Sequence, residues 1–167
     1  MLNGAGSTAA PGGDSLADPL RIFRRLPGTT RETVLEEMAV RMAERGLVPD
    51  AHELWERLID RERLGCTGLG GGVAIPHCKL RNLSHVVAAV ASTEVPIDFG
   101  ASDRVPIDLI FLVASPADAP AAHLQALARI SRVLRTPRVA DALRAASSVA
   151  EMADVLRGAA AGLPVAP

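Results

Sequence analysis

The sequence predicts an α/β protein, a β-sheet covered by helices. Three observations carry that expectation. Amphipathic stretches with helix-capping signals flank a central block of short β-type runs. One of those runs is almost wholly apolar, as a strand buried on both faces should be. Helical segments both precede and follow the strands, which suggests neither a helical bundle nor a β-sandwich.

The elements follow in chain order. Residues 1–19 are rich in Gly, Ala, Ser, Pro and Asp with almost no large apolar group, and are expected to form a disordered leader. The domain is expected over residues 20–158, followed by a second loose tail at 159–167. Thr30 to Arg45 reads as a helix: Val34, Leu35, Met38, Ala39 and Met42 recur at helical spacing. Thr29-x-x-Glu32 and Thr33-x-x-Glu36 offer capping boxes, and Gly46 sits where a terminating glycine belongs. A second helix is expected after Pro49, with Asp50 as its cap and Ala51, Leu54, Trp55, Leu58 and Ile59 on one face.

Gly65 to Gly72 holds five glycines in eight residues and cannot be helix. Strands are expected at Val73–Ile75, His85–Ala91 and Ile107–Ala114, with a weaker one around Thr93–Phe99. A helix is expected from Ala121 to Arg135, ended by Pro137, and a shorter one over Arg138–Ala146. The last begins at Ser148, with Ser148-x-x-Glu151 as its capping box and Gly158 as its stop.

Composition excludes several functions. With 18 basic and 19 acidic residues the net charge is −1, which gives no electrostatic footprint for nucleic acid or an anionic membrane. Aromatics are 2% of the chain, so a base-stacking platform is not expected. Two cysteines, Cys66 and Cys78, are too few for a disulfide scaffold, and a cytoplasmic setting is expected. There is no signal-peptide pattern, and the apolar runs at 86–91 and 109–114 are too short to span a bilayer.

The chemistry concentrates at the end of the glycine-rich segment. A P-loop fails there, because Lys79 follows Cys78 and Leu80 stands where the hydroxyl should be. A dinucleotide fingerprint fails too, because its third glycine falls on Val73 or Ile75. What remains is a loop that lets backbone approach something closely, feeding a short strand that ends in Pro76-His77. An imidazole beside exposed N–H groups suits the holding and transfer of an anionic phosphoryl group. A structural histidine remains the alternative on pattern alone.

The run Asp60-Arg61-Glu62-Arg63-Leu64-Gly65-Cys66-Thr67-Gly68-Leu69-Gly70-Gly71-Gly72-Val73-Ala74-Ile75-Pro76-His77 closely resembles the active-site signature of enzyme IIA of the bacterial phosphoenolpyruvate-dependent phosphotransferase system (PTS), in its fructose/mannitol and nitrogen-regulatory branch. A second landmark of that family, a histidine in a His-Leu-x-x-Leu context, is matched by His123-Leu124-Gln125-Ala126-Leu127. The resemblance covers roughly residues 30–158. It implies a mannitol-type EIIA fold, a mixed β-sheet with helices on both faces. It implies that His77 takes a phosphoryl group from the phosphocarrier HPr or its nitrogen-branch equivalent. The downstream partner is then a IIB acceptor or a regulatory target. No IIB, IIC or HPr region is recognised in the chain, which turns the expectation toward the nitrogen-regulatory branch.

Within that resemblance His77, Arg61 and His123 are the catalytic candidates. Arg61 offers a planar fork for two phosphate oxygens. His123 falls in the first turn after Pro120, where the helix terminus carries partial positive charge. Thr67 and the N–H groups of Gly68 and Gly70 are candidate phosphate donors. Neither a metal nor a cofactor is expected. A Cys66–His77–Cys78 metal set matches no standard zinc spacing. A Cys78 nucleophile is disfavoured because adjacent residues of an extended segment point opposite ways. His52 and His85 read as ordinary surface or strand residues.

Overall fold

The structure is a computed structural model that describes residues 15–163 and 165. Residues 1–14, 164, 166 and 167, where parts of both expected tails fall, lie outside the described residues. Residues 15–19 do not extend the leader. Ala17 is buried, and Asp18 caps a 3₁₀ turn over Pro19–Arg21. At the other end the last helix passes Gly158 and runs to Ala160, with Ala159 buried.

A short strand β1 (Ile22–Leu26) comes first and was not expected. Two arginines break its apolar alternation. Arg25 adopts φ +56°, and its N–H is taken by the Ser92 hydroxyl, while Arg24 reaches the carbonyl of Ala146. Helices α1 (Arg31–Glu44) and α2 (Ala51–Arg63) follow as the spacing required. Their caps differ in detail. Thr30 caps α1 in a reciprocal box with Thr33, so neither expected Thr–Glu box forms. Asp50 caps α2 through the Glu53 N–H.

The glycine-rich segment forms a hairpin of β2 (Gly68–Gly70) and β3 (Val73–Ala74), and β4 (His77–Leu80) continues it. Strand β5 (Val87–Ile97) fuses the two runs expected at 85–91 and 93–99. Its register against the next strand shifts between Ser92 and Ile97, where Pro96 offers no N–H to the ladder. Strand β6 (Ile107–Pro116) then leads to α3 (Pro120–Leu134), α4 (Val139–Ala145) and α5 (Val149–Ala160). Ser148 caps α5 through the Glu151 N–H, but the Glu151 carboxylate turns to Ser147 rather than closing a box on Ser148.

The six strands form one mixed sheet in the order β1-β5-β6-β3-β2, with β4 also pairing β6. β6 is its axis. It runs antiparallel to β5 on one side and parallel to both β3 and β4 on the other. β3 and β4 thus lie end to end against the same strand. The break between them falls at Ile75-Pro76, because Pro76 has no N–H for the ladder, although its carbonyl still accepts from Val113. Leu112 and Ala114 of β6 enter a core with α1 and α2, whereas Leu109, Phe111 and Val113 enter a second core with α3, α4 and α5. That alternation makes β6 apolar on both faces. No helix among the described residues is long and apolar enough to cross a membrane.

Candidate functional site

His77 opens β4 immediately after the Pro76 break. The alternation of the strand sends Cys78 and Leu80 into the α1/α2 core, so His77 faces the other way. Its Nδ1 lies 2.8 Å from the carbonyl oxygen of Ile75. A carbonyl can only accept, so Nδ1 must carry the proton. The lone pair of the neutral ring is therefore on Nε2. There the Nε–H of Arg61 donates to it at 3.3 Å.

Arg61 comes from the last turn of α2, in the layer opposite α3. Its Nη1 donates to the Gly65 carbonyl at 3.0 Å, which holds the guanidinium across the start of the glycine segment. His123 approaches from α3. Its ring centroid stands 5.4 Å from that of His77, with the planes tilted by 56°. It is buried, and its Nδ1 lies 2.8 Å from the hydroxyl of Ser115, itself fully buried near the end of β6. Burial, then the proximity of His77 and of Lys79, lowers the His123 pKa, so this ring is held neutral. Two helical layers and the sheet thus meet at the imidazole of His77.

Arg61, His77 and His123 are brought together; the other three candidates turn elsewhere. The Thr67 hydroxyl donates to the Glu62 carboxylate, and the Thr67 N–H donates to its second oxygen at 3.2 Å. The Gly68 N–H is taken by Cys66 Sγ at 3.2 Å. Gly70, at φ +98°, opens the left-handed turn of the hairpin. The hydrogen bonds of Thr67 and Gly68 therefore build the loop from within and do not run to His77. Cys78 lies in the apolar core, where burial pushes its thiol up to about 12. A thiolate nucleophile there is ruled out at neutral pH.

Sequence reasoning missed Ser115 and Glu62. Ser115 carried a usable signal, as a hydroxyl inside an otherwise apolar buried strand. Glu62 is buried beside the helix end and shows its role only through Thr67. Also missed were three exposed leucines. Leu64, Leu69 and Leu124 are exposed, and each is a near chain neighbour of Arg61, Gly68 or His123.

The model of the family described as phosphoenolpyruvate-dependent sugar phosphotransferase system, EIIA 2, matches residues 15–158. The chain belongs to that EIIA family. It is 40% identical over 141 residues to a nitrogen regulatory protein of Bradyrhizobium diazoefficiens, covering 84% of this chain and 92% of that one. It is 35% identical over 130 residues to a PTS fructose-specific EIIA component of Haloferax volcanii, covering 78% of this chain and 84% of that one. Among solved structures it resembles the nitrogen regulatory protein IIA-Ntr of Neisseria meningitidis, at 28% identity and a TM-score of 0.75, covering 83% of this chain and 94% of that one. The mixed sheet with flanking helices is thus the EIIA fold.

Proposed function

We propose that this EIIA is a phosphoryl carrier, with Nε2 of His77 as the acceptor atom. The observation that carries the reading is the Ile75 carbonyl on Nδ1, which leaves the lone pair on the nitrogen that faces Arg61. That lone pair attacks the phosphorus of a donor phosphohistidine. A new N–P bond forms as the donor's N–P bond breaks, and the donor nitrogen leaves with its electron pair. The transfer moves one phosphoryl group and consumes no other reactant. Its transition state is loose, so the protein mainly positions groups and offsets charge.

Arg61 then shifts its N–H groups from Nε2 to the phosphoryl oxygens. Each charge-assisted bond is worth roughly 1.5–3 kcal/mol. In the tautomer whose Nδ1 accepts from the Ser115 hydroxyl, His123 carries its proton on Nε2 and can donate it to the same group. Thr67 and Glu62 support the loop from behind. The donor is HPr or its nitrogen-branch equivalent, which puts the protein in the cytoplasm. The exposed Leu64, Leu69 and Leu124, each close in the chain to a site residue, favour a protein donor and acceptor, because a free sugar needs no exposed apolar side chains.

The nitrogen-regulatory branch is the preferred role, on the similarity to the Bradyrhizobium protein. The similarity to a fructose-specific component supports the second reading, delivery to a separate IIB for sugar uptake. Both are tested by incubation with phosphoenolpyruvate, enzyme I and an HPr of either branch. One acid-labile, base-stable phosphoryl group on His77 is expected, charged faster by the nitrogen-branch donor. Labelling that survives His77→Ala sinks the acceptor assignment. Rapid discharge onto a fructose IIB would favour the sugar role. Arg61→Lys should slow charging, because a point charge does not replace the fork.

A further inference from the structure

The tip of the β2–β3 hairpin is Gly70-Gly71-Gly72, three consecutive residues with φ of +98°, +63° and +81°. Such a turn has no side chains to fix it, and glycine gives the unfolded chain the most freedom to lose. Two side chains from elsewhere grip it instead. Asp103, in the loop before β6, accepts from the Gly71 N–H at 2.9 Å through Oδ2 and from the Val105 N–H at 3.1 Å through Oδ1. Arg144, on α4, donates from Nη2 to the Gly71 carbonyl at 2.6 Å. Both polar groups of one residue are therefore held by opposite charges from two separate elements.

The grip is built against bare backbone. A Cβ on Gly72 would stand 2.7 Å from Arg144 Nη2 and 3.1 Å from Asp108 Oδ1. Arg144 is locked in turn by Asp108, with Nε 2.9 Å from both carboxylate oxygens and Nη2 2.8 Å from Oδ1. The backbone closes the unit, because the Gly72 carbonyl accepts from the N–H groups of Asp108 and Leu109. The Asp108 partnership also raises the Arg144 pKa, and the Gly71 N–H lowers that of Asp103, so both charges persist across the ordinary pH range.

Exposed and half-exposed ion pairs contribute little to global stability. The place of this one suggests another purpose. The gripped turn feeds β3, and Ile75, next in the chain, is fixed twice: its N–H bonds the Thr67 carbonyl at 3.0 Å and its own carbonyl takes the His77 Nδ1 proton. A hairpin that rocks about its glycine tip carries the Ile75 carbonyl with it. We infer that Arg144 and Asp103 are positioning residues for His77, fixing the hairpin whose Ile75 carbonyl selects the tautomer with its lone pair on Nε2. The inference rests on the phosphoryl-acceptor reading for its kinetic consequence, but not for its structural one.

The test uses the full chain with ¹⁵N-labelled histidine, as wild type, Arg144→Met, Arg144→Lys and Asp103→Ala. Imidazole ¹⁵N shifts of unmodified His77 report the tautomer. Charging by phosphorylated HPr, over a range of donor concentrations, reports the rate. In Arg144→Met and Asp103→Ala the His77 shifts should move toward a tautomer mixture. The maximal charging rate should fall by about tenfold, with KM for the donor unchanged, as expected when a reacting group is misplaced. Arg144→Lys should recover part of both, because an ammonium still donates to the Gly71 carbonyl. The thermal midpoint should fall by no more than about 2–4 °C. A lowered midpoint with unchanged His77 shifts and unchanged maximal rate overturns the inference and leaves the cluster a stability device. Wild-type protein that takes no phosphoryl group would instead defeat the acceptor reading, and the tautomer shifts would still decide on the clamp.

Discussion

The β5–β6 pair and the arm that runs from Gly65 to Leu80 hold one sheet together by different means. Every residue of β6 except Asp108 is buried, and its pairing with β5 extends along most of both strands. The arm has two-residue and three-residue strands, left-handed glycines and polar grips from Asp103, Arg144 and Glu62. Apolar burial is non-directional and tolerates small shifts; hydrogen bonds to bare backbone specify a position. The pair supplies stability, and the arm uses it to hold one imidazole in one orientation.

Substitutions can test that division. Phe111→Ala removes a fully buried ring from the centre of β6 and should cost about 3–5 kcal/mol in urea unfolding. The charging rate of the protein that remains folded should match wild type. A rate that falls as steeply as the stability would erase the distinction. Thr67→Val keeps the shape of the side chain but leaves one oxygen of buried Glu62 without its hydroxyl donor. The expected loss is about 1–3 kcal/mol, now accompanied by slower charging. Equal stability with unchanged charging would show that Glu62 finds another donor and that the arm is less specified than its bonds suggest.

The smallest effect concerns pH. The folded pKa of His123 is lowered by burial, so the unfolded chain binds more protons as the medium is acidified. This contribution is intact above the ordinary histidine value of about 6.5 and is lost as pH falls from there toward the lowered folded value. Urea titrations on either side of that window should show His123→Asn losing less stability on acidification than wild type. Parallel curves would mean that the buried ring is solvated more freely than its surroundings imply.

The same division governs what the sequence revealed. α1, α2, α3 and β6 each repeat an apolar spacing, and burial then acts on the pattern as written. β1 hid because Arg24 and Arg25 interrupt it at an irregular register, and β4 because four residues carry little periodicity. The motif singled out Arg61, His77 and His123, which the fold brings side by side. It did not reveal that Thr67 and Gly68 would bond within their own loop, because the same donors could have pointed outward. Ser115 could be noticed as a buried hydroxyl but its partner could not be read, and Asp103 and Arg144 were less accessible still. Their partners lie 8, 32 and 73 residues away, and no local pattern records such pairings.

The seam at His77 has one more consequence. Arg61 reaches it from α2 and His123 from α3, the two opposite layers of the fold. A phosphoryl group there adds roughly two negative charges at neutral pH. Both layers would register the same event, one through a guanidinium and the other through a buried ring. Under the proposed function, a single chemical mark would then be legible from two sides, so two unrelated proteins could read one state without sharing a surface.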